Sequence, residues 1–392
     1  MMRRRDFLKG SLFAGLTGLS SPVWTNELRS ELPILVAVEL SGGNDGLNTV
    51  VPYGNDEYYR QRPTIGIREN QVLALDDHFG LNPGMSGFKR LWHNDQLAIV
   101  HGCGYDRPSY SHFTSMAYWH TGVPNGGDEY GWLGRVADQM QNKQAEDMLI
   151  NVGSSQSLAV KSGMHTPLVF DDPQRFQRSY WMNRLDLSSD REPISKNANH
   201  SFLRAVDVSA RSSAARIRRA WSNYSTSIDY GIAPMDLPKV ASCIDAGLDT
   251  QLYHVSFRNN AFDTHVQQPN LHRRLLSYAS DAIHGFVRDL ERLGHAHRVV
   301  LMVYSEFGRR VPENANLGTD HGSANNMFLI GDPINGGHYG KWPSLVDLID
   351  SGNLAYTTDF RQVYATVIED WLKISSGLIL KGDFQKLPVF VS

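Results

Sequence analysis

Three short segments carry an acid, two of them with a histidine beside it, and such groups can hold a metal ion. Phe262-Asp263-Thr264-His265 sets a hard carboxylate oxygen and a borderline imidazole nitrogen close together, a mix that suits zinc, manganese or iron. Ser305-Glu306-Phe307-Gly308-Arg309 adds a further acid, and Gly318-Thr319-Asp320-His321-Gly322 an acid beside another histidine. In Ser41-Gly42-Gly43-Asn44-Asp45-Gly46-Leu47-Asn48 the glycines let the backbone turn sharply around Asp45, whose carboxylate would suit a cation, calcium included. The same residues have plain structural uses, since Asp45 can close an Asx turn and a buried histidine can bond a carboxylate with no ion between them. Arg107-Pro108-Ser109-Tyr110-Ser111-His112-Phe113 carries a different chemistry. A serine where a helix begins meets free N–H groups, which suits a nucleophile or an anion-binding hydroxyl, while Ser109 or Ser111 can equally cap the helix.

The elements that position these segments follow from the apolar pattern. Short apolar or β-branched runs predict strands at Ile34 to Val38, Leu97 to His101, Met148 to Val152, Leu252 to Phe257, Val299 to Tyr304 and Asn326 to Ile330. Helical patterns lie between most of them. The longest predicted helix runs from Leu271 to Leu293, with Leu275, Leu276, Ala279, Ile283, Phe286 and Leu290 on one face and Gly294 as its stop. Tyr364, Val367, Ile368 and Leu372 predict another near the C-terminus. Strands alternating with helices predict an α/β fold, with one large, mostly parallel sheet covered by helices on both faces. In such sheets ligands bind beyond the carboxyl ends of the strands, where the polar segments follow. Residues 171 to 245, rich in Arg, Ser and Asp with Arg204, Arg211, Arg216, Arg218 and Arg219, predict a helical insertion or cap, read as a solvated helix pair or an anion-attracting lid.

The 392 residues, 41% apolar, allow one large domain, expected over 31–392, after an N-terminal segment of another kind. Arg3-Arg4-Arg5-Asp6-Phe7-Leu8-Lys9 precedes ten small or apolar residues, Ser11 to Ser20, which reads as a twin-arginine export signal over 1–30. That run is shorter than the roughly 20 apolar residues of a membrane span, so no transmembrane span beyond the signal is expected, and cleavage or retention as an anchor both stay open. The expected location is the periplasm or the cell exterior. Without residues 1 to 24, which hold Arg3, Arg4, Arg5, Lys9 and Asp6, the 38 basic and 41 acidic residues of the chain fall to 34 and 40. That acidic balance argues against nucleic acid as a partner. The two cysteines, Cys103 and Cys243, cannot make a thiolate zinc module and are expected to be buried thiols.

Other chemistries lack their motifs. There is no Gly-x-Ser-x-Gly elbow and no His-Glu-x-x-His, and Gly336 to Lys341 is one residue short of a phosphate loop. The leader, Ser41-Gly-Gly-Asn-Asp-Gly-Leu-Asn-Thr-Val-Val-Pro, Ser111-His112-Phe113, Phe262-Asp-Thr-His, Ser305-Glu-Phe-Gly-Arg, Gly318-Thr-Asp-His-Gly-Ser-Ala and Thr358-Asp-Phe-Arg-Gln-Val-Tyr-Ala together resemble the secreted bacterial proteins of domain of unknown function 1501. That family is similar to the alkaline phosphatase and sulfatase superfamily. The resemblance implies an alkaline phosphatase-like fold with a divalent metal centre at the strand ends. It further implies Asp45 as a metal ligand after the first strand, Ser111 as nucleophile, and Asp263 with His265 as a ligand pair. Glu306 would take the place of an aspartate ligand, and His321 would be the final histidine ligand. Phe307 stands where the superfamily has a histidine, and the spacing of Asp263 and His265 is tighter than usual. A single metal, an altered pair recruiting Asp320, or a site without catalysis are the alternatives this leaves. The expected function is a metal-dependent hydrolase or transferase of phosphate or sulfate esters, small or borne on a polymer, with His112 or Arg309 helping to hold the anion. The alternative is a secreted binding or assembly protein that keeps the fold.

Overall fold

Ile34–Leu40, here β1, reads Ile-Leu-Val-Ala-Val-Glu-Leu and is buried along its whole length, as only a central strand covered on both faces can be. The computed structural model describes residues 32–140, 147–176, 212–257, 259–350 and 352–391. The export signal expected over 1–30 and the Arg204 and Arg211 part of the expected insertion lie outside the described residues. The sheet continues with β2 (Leu97–Gly104), β3 (Leu149–Val152), β4 (Leu168–Phe170), β5 (Leu252–Phe257), β6 (Val299–Tyr304), β7 (Asn325–Ile330), β8 (Gly337–Tyr339) and β9 (Thr358–Asp359). Their order is β8-β2-β7-β6-β1-β5-β3-β4, with β9 also on β2. All pairings are parallel except those of β7, which runs against both β2 and β6 and makes the sheet mixed. The segment Gly336 to Lys341, set aside as a phosphate loop, contains the edge strand β8.

The direction of β7 matters for the site. Its preceding loop enters at the same end of the sheet at which β1, β5 and β6 leave, so Asp320 and His321 meet the segments that follow those three strands.

The helices that cover the sheet are α1 (Ser86–His93), α2 (His112–Thr121), α3 (Trp132–Gln139), α4 (Leu237–Asp245), α5 (Gln268–Leu293) and α6 (Phe360–Thr366). Alternation along β1 divides the core. Val36 and Val38 face Phe88, Val240, Ile283 and Phe286 of α1, α4 and α5, whereas Leu35 and Ala37 face Trp119, Trp132 and Tyr364 of α2, α3 and α6. The long helix α5 starts three residues before the expected Leu271, because Pro269 is well placed in a first turn. It stops at Gly294, whose φ of 80° a glycine adopts without strain. At the C-terminus α6 opens into a wider π turn over Val367–Trp371. A helix over 212–223 and α4 occupy the described parts of the expected insertion, and Ile217, Ala220 and Val240 join the core on the α5 face. Cys103 and Cys243 are buried and unbridged on opposite faces of the sheet. No helix among the described residues is long and apolar enough to cross a membrane.

Candidate metal centre

Four of the expected side chains gather beyond the strand ends around Asp263, and the donor atoms of His112, Asp263 and His321 all lie within 4.8 Å of one another. Asp263 Oδ1 lies 3.0 Å from His265 Nε2 and 3.2 Å from His321 Nε2. His112 Nε2 lies 3.4 Å from Asp263 Oδ2, and the Nε2 atoms of His265 and His321 are 2.9 Å apart. Three elements supply the four side chains: α2 begins at His112, the turn after β5 carries Asp263 and His265, and the loop into β7 carries His321.

The outer nitrogens of the three imidazoles decide what the inner ones offer. His112 Nδ1 donates to Glu306 Oε1 at 2.8 Å, His321 Nδ1 donates to the Tyr110 carbonyl at 2.8 Å, and His265 Nδ1 is 3.5 Å from Asp320 Oδ1. An imidazole whose Nδ1 carries the proton presents a lone pair at Nε2. His112 and His321 can thus each turn a lone pair toward Asp263, His112 Nε2 being buried with no hydrogen-bond partner, while His265 Nε2 also lies 3.5 Å from Arg309 Nη1. Imidazole nitrogens gathered around a carboxylate fit a divalent cation, and histidines braced through Nδ1 by carboxylates or carbonyls are typical of metal ligands. The Glu306 hydrogen bond raises the His112 pKa against the opposing effect of burial, while burial, with Arg309 and His112 nearby, lowers that of His321. Burial would raise the Asp263 pKa, but the Arg309 guanidinium outweighs it and keeps the carboxylate ionised.

The remaining expected residues have other places. Asp45, expected as a ligand, does not reach the cluster. Its Oδ1 accepts from Leu47 N, and its Oδ2 from Arg62 at 2.6 Å and Gln268 at 2.5 Å, so the Asx turn and a buried ion pair use both oxygens. Glu306, also expected as a ligand, stands one layer back; besides His112 it accepts from Gly42 N at 2.9 and 3.1 Å and from Ser305 Oγ at 3.1 Å. Arg309, expected to hold an anion, is 1% exposed and spends its donors on the carbonyls of Gly42, Gly43, Phe262 and Thr319 and on Asp263 Oδ1 at 2.7 Å. It positions the cluster instead. Asp320 is half exposed and accepts from Asn314 at 3.0 Å. Ser111 begins α2 but makes no side-chain cap, which leaves its hydroxyl exposed beside His112. Sequence reasoning missed the direct part His112 takes and the Tyr110 carbonyl behind His321.

Phe307 forms an apolar wall of the cluster, its ring 4.9 Å from that of His112 and 4.8 Å from that of His321. It fits only because position 43 has no side chain: a Cβ on Gly43, at φ 69°, would lie 2.1 Å from Phe307 Cε2. Gly43→Ala is therefore expected to destabilise the protein by about 1–3 kcal/mol, read as a lower urea midpoint with unchanged slope. An unchanged midpoint would refute this packing.

A histidine and carboxylate cluster at the carboxyl ends of a mixed α/β sheet is thus the class of centre this fold presents. The chain belongs to the family described as protein of unknown function (DUF1501), which it matches over residues 34–381. No curated protein matches it. Among solved structures it is similar to a protein in the alkaline phosphatase superfamily from Vibrio parahaemolyticus, at 9% identity and TM-score 0.38, covering 79% of this chain and 62% of that one. It thus spans less than two thirds of the Vibrio protein. It is also similar to the lipoteichoic acid synthase LtaP from Listeria monocytogenes, at 10% identity and TM-score 0.38, covering 90% and 74%. A third is the C-terminal periplasmic domain of EcEptC from Escherichia coli in complex with Zn, at 11% identity and TM-score 0.35, covering 77% and 74%.

Proposed function

We propose that the protein is an exported metal-dependent hydrolase or transferase of phosphate or sulfate esters, working in the periplasm or outside the cell. The observation that carries this reading is the set of three imidazoles around Asp263, two of them braced through Nδ1, with the exposed Ser111 immediately before His112 at the start of α2. The side chains of His112, Asp263, His265 and His321 are between 17% and 38% exposed, so the cluster borders solvent, as a working centre requires and a closed structural site does not. A divalent ion held by His112, Asp263, His265 and His321 would supply an acidified hydroxyl or water and a clamp on an ester oxygen. The chain's own contribution is positional. The first N–H groups of α2 favour an anion next to Ser111, Glu306 fixes the His112 ring, and Phe307 keeps one side of the cluster dry.

Turnover of aryl phosphate and aryl sulfate esters by protein loaded with zinc, manganese, iron or calcium tests the reading. With a serine nucleophile, Ser111→Ala abolishes any covalent phospho-enzyme or sulfo-enzyme seen by intact mass, and Ser109→Ala does not. Full turnover in Ser111→Ala would move the attack to a water. No turnover of either ester class by metal-loaded parent protein would turn the assignment to a secreted binding or assembly protein.

A further inference from the structure

A second group of ligand-type side chains lies under the other end of α2. Glu39 on β1, His120 on α2 and His254 on β5 are 4%, 8% and 2% exposed, and one donor atom from each lies within 4.8 Å of the other two. From His112 to His120 is eight residues of helix, or roughly 12 Å along the axis, so this group is distinct from the Asp263 cluster. The sheet register explains the meeting. His254 is opposite Ala37 and Ser256 opposite Glu39, which puts Glu39 and His254 on the face that α2 covers.

Their contacts go beyond a buried ion pair. His120 Nε2 is 2.6 Å from Glu39 Oε2, and that pair alone would compensate the carboxylate. His254 brings a second imidazole to the same oxygen: its Nε2 is 3.5 Å from Glu39 Oε2 and 3.3 Å from Tyr304 OH, while its other nitrogen, Nδ1, is buried with no hydrogen-bond partner. An imidazole buried this deeply with one nitrogen unmatched costs free energy that packing does not return. Above the three residues opens a polar cavity of about 280 Å³, lined also by Asn151, Ser155 and Ser256, with room for an ion, its waters and a small polar ligand.

We propose that Glu39, His120 and His254 form a second transition-metal site, a two-histidine, one-carboxylate set with open positions facing this cavity, for zinc or ferrous iron. It stands independently of the ester-hydrolase reading.

Zinc counting on full-length protein tests it. Parent protein, Glu39→Gln, Asp263→Asn and the double variant are saturated with zinc, desalted and analysed by plasma mass spectrometry, with cobalt absorption spectra as a second readout. Glu39→Gln, close in shape to the parent residue, is expected to lose one equivalent in both the parent and the Asp263→Asn background, along with one set of cobalt bands. His254→Gln is expected to do the same and replaces Glu39→Gln should that variant not fold. A zinc count unchanged by both Glu39→Gln and His254→Gln in folded protein overturns the site. A count that falls with Glu39→Gln but not with Asp263→Asn keeps this site and removes the centre of the proposed function.

Discussion

Asp263→Asn is expected to empty the first centre of metal while leaving the protein folded. The carboxylate of Asp263 is the one anion among the inner groups, within 3.4 Å of the Nε2 atoms of His112, His265 and His321. Asparagine keeps an oxygen for Arg309 Nη2, which now bonds Asp263 Oδ1 at 2.7 Å, so the scaffold retains its hydrogen bond and loses only the charge. Glu306→Gln acts one layer out. It weakens the brace on His112 Nδ1 and should lower metal affinity about 10–100-fold, the usual cost of losing an outer partner, with Asp263→Asn costing more than that. Competition against a chelating dye, with zinc and then manganese, ranks the two variants. Equal and undiminished affinity in both would mean that these residues bind one another and no ion.

The order of effects in that experiment depends on a layering that the sequence displayed only in part. The central strands were legible because a strand buried on both faces must be apolar throughout, and α5 because one face of a long helix repeats every three to four residues. The direction of β7 was not, since an antiparallel strand and a parallel one have the same composition; yet that direction brings His321 to Asp263. Asp45 shows the limit from another side. Its partner Arg62 lies in a turn after a short helix, Asp56–Gln61, that carries no signal of its own, so the carboxylate read as free for a cation. Glu306 lies behind His112 for a geometric reason: which of two neighbouring groups faces inward depends on how Gly42 and α2 approach, and both are long-range contacts. Glu39 and His254 carried a signal that periodicity does not weigh, a titratable residue inside an otherwise apolar strand. Such a residue is costly wherever nothing compensates it.

Arg309→Met should be the most destabilising single change at the first centre. The guanidinium is buried and ties together Gly42 and Gly43 after β1, Phe262 and Asp263 after β5, and Thr319 before β7. Removing it strands several carbonyl oxygens and leaves Asp263 without its counter-charge, a loss of roughly 3–5 kcal/mol. Lysine is no substitute, because three donors on one nitrogen cannot span acceptors that the planar fork reaches in different directions; Arg309→Lys is expected to fall between parent and Arg309→Met. Arg310 supplies the control. Its side chain is 38% exposed and only 4.0 Å from its nearest acid, Asp320, so Arg310→Met should change stability by no more than about 1 kcal/mol. Urea unfolding followed by tryptophan fluorescence measures all three. Arg309→Met and Arg310→Met of equal stability would show that the three segments hold their places without the guanidinium, and the inward geometry of Asp263 and His321 would then need another cause.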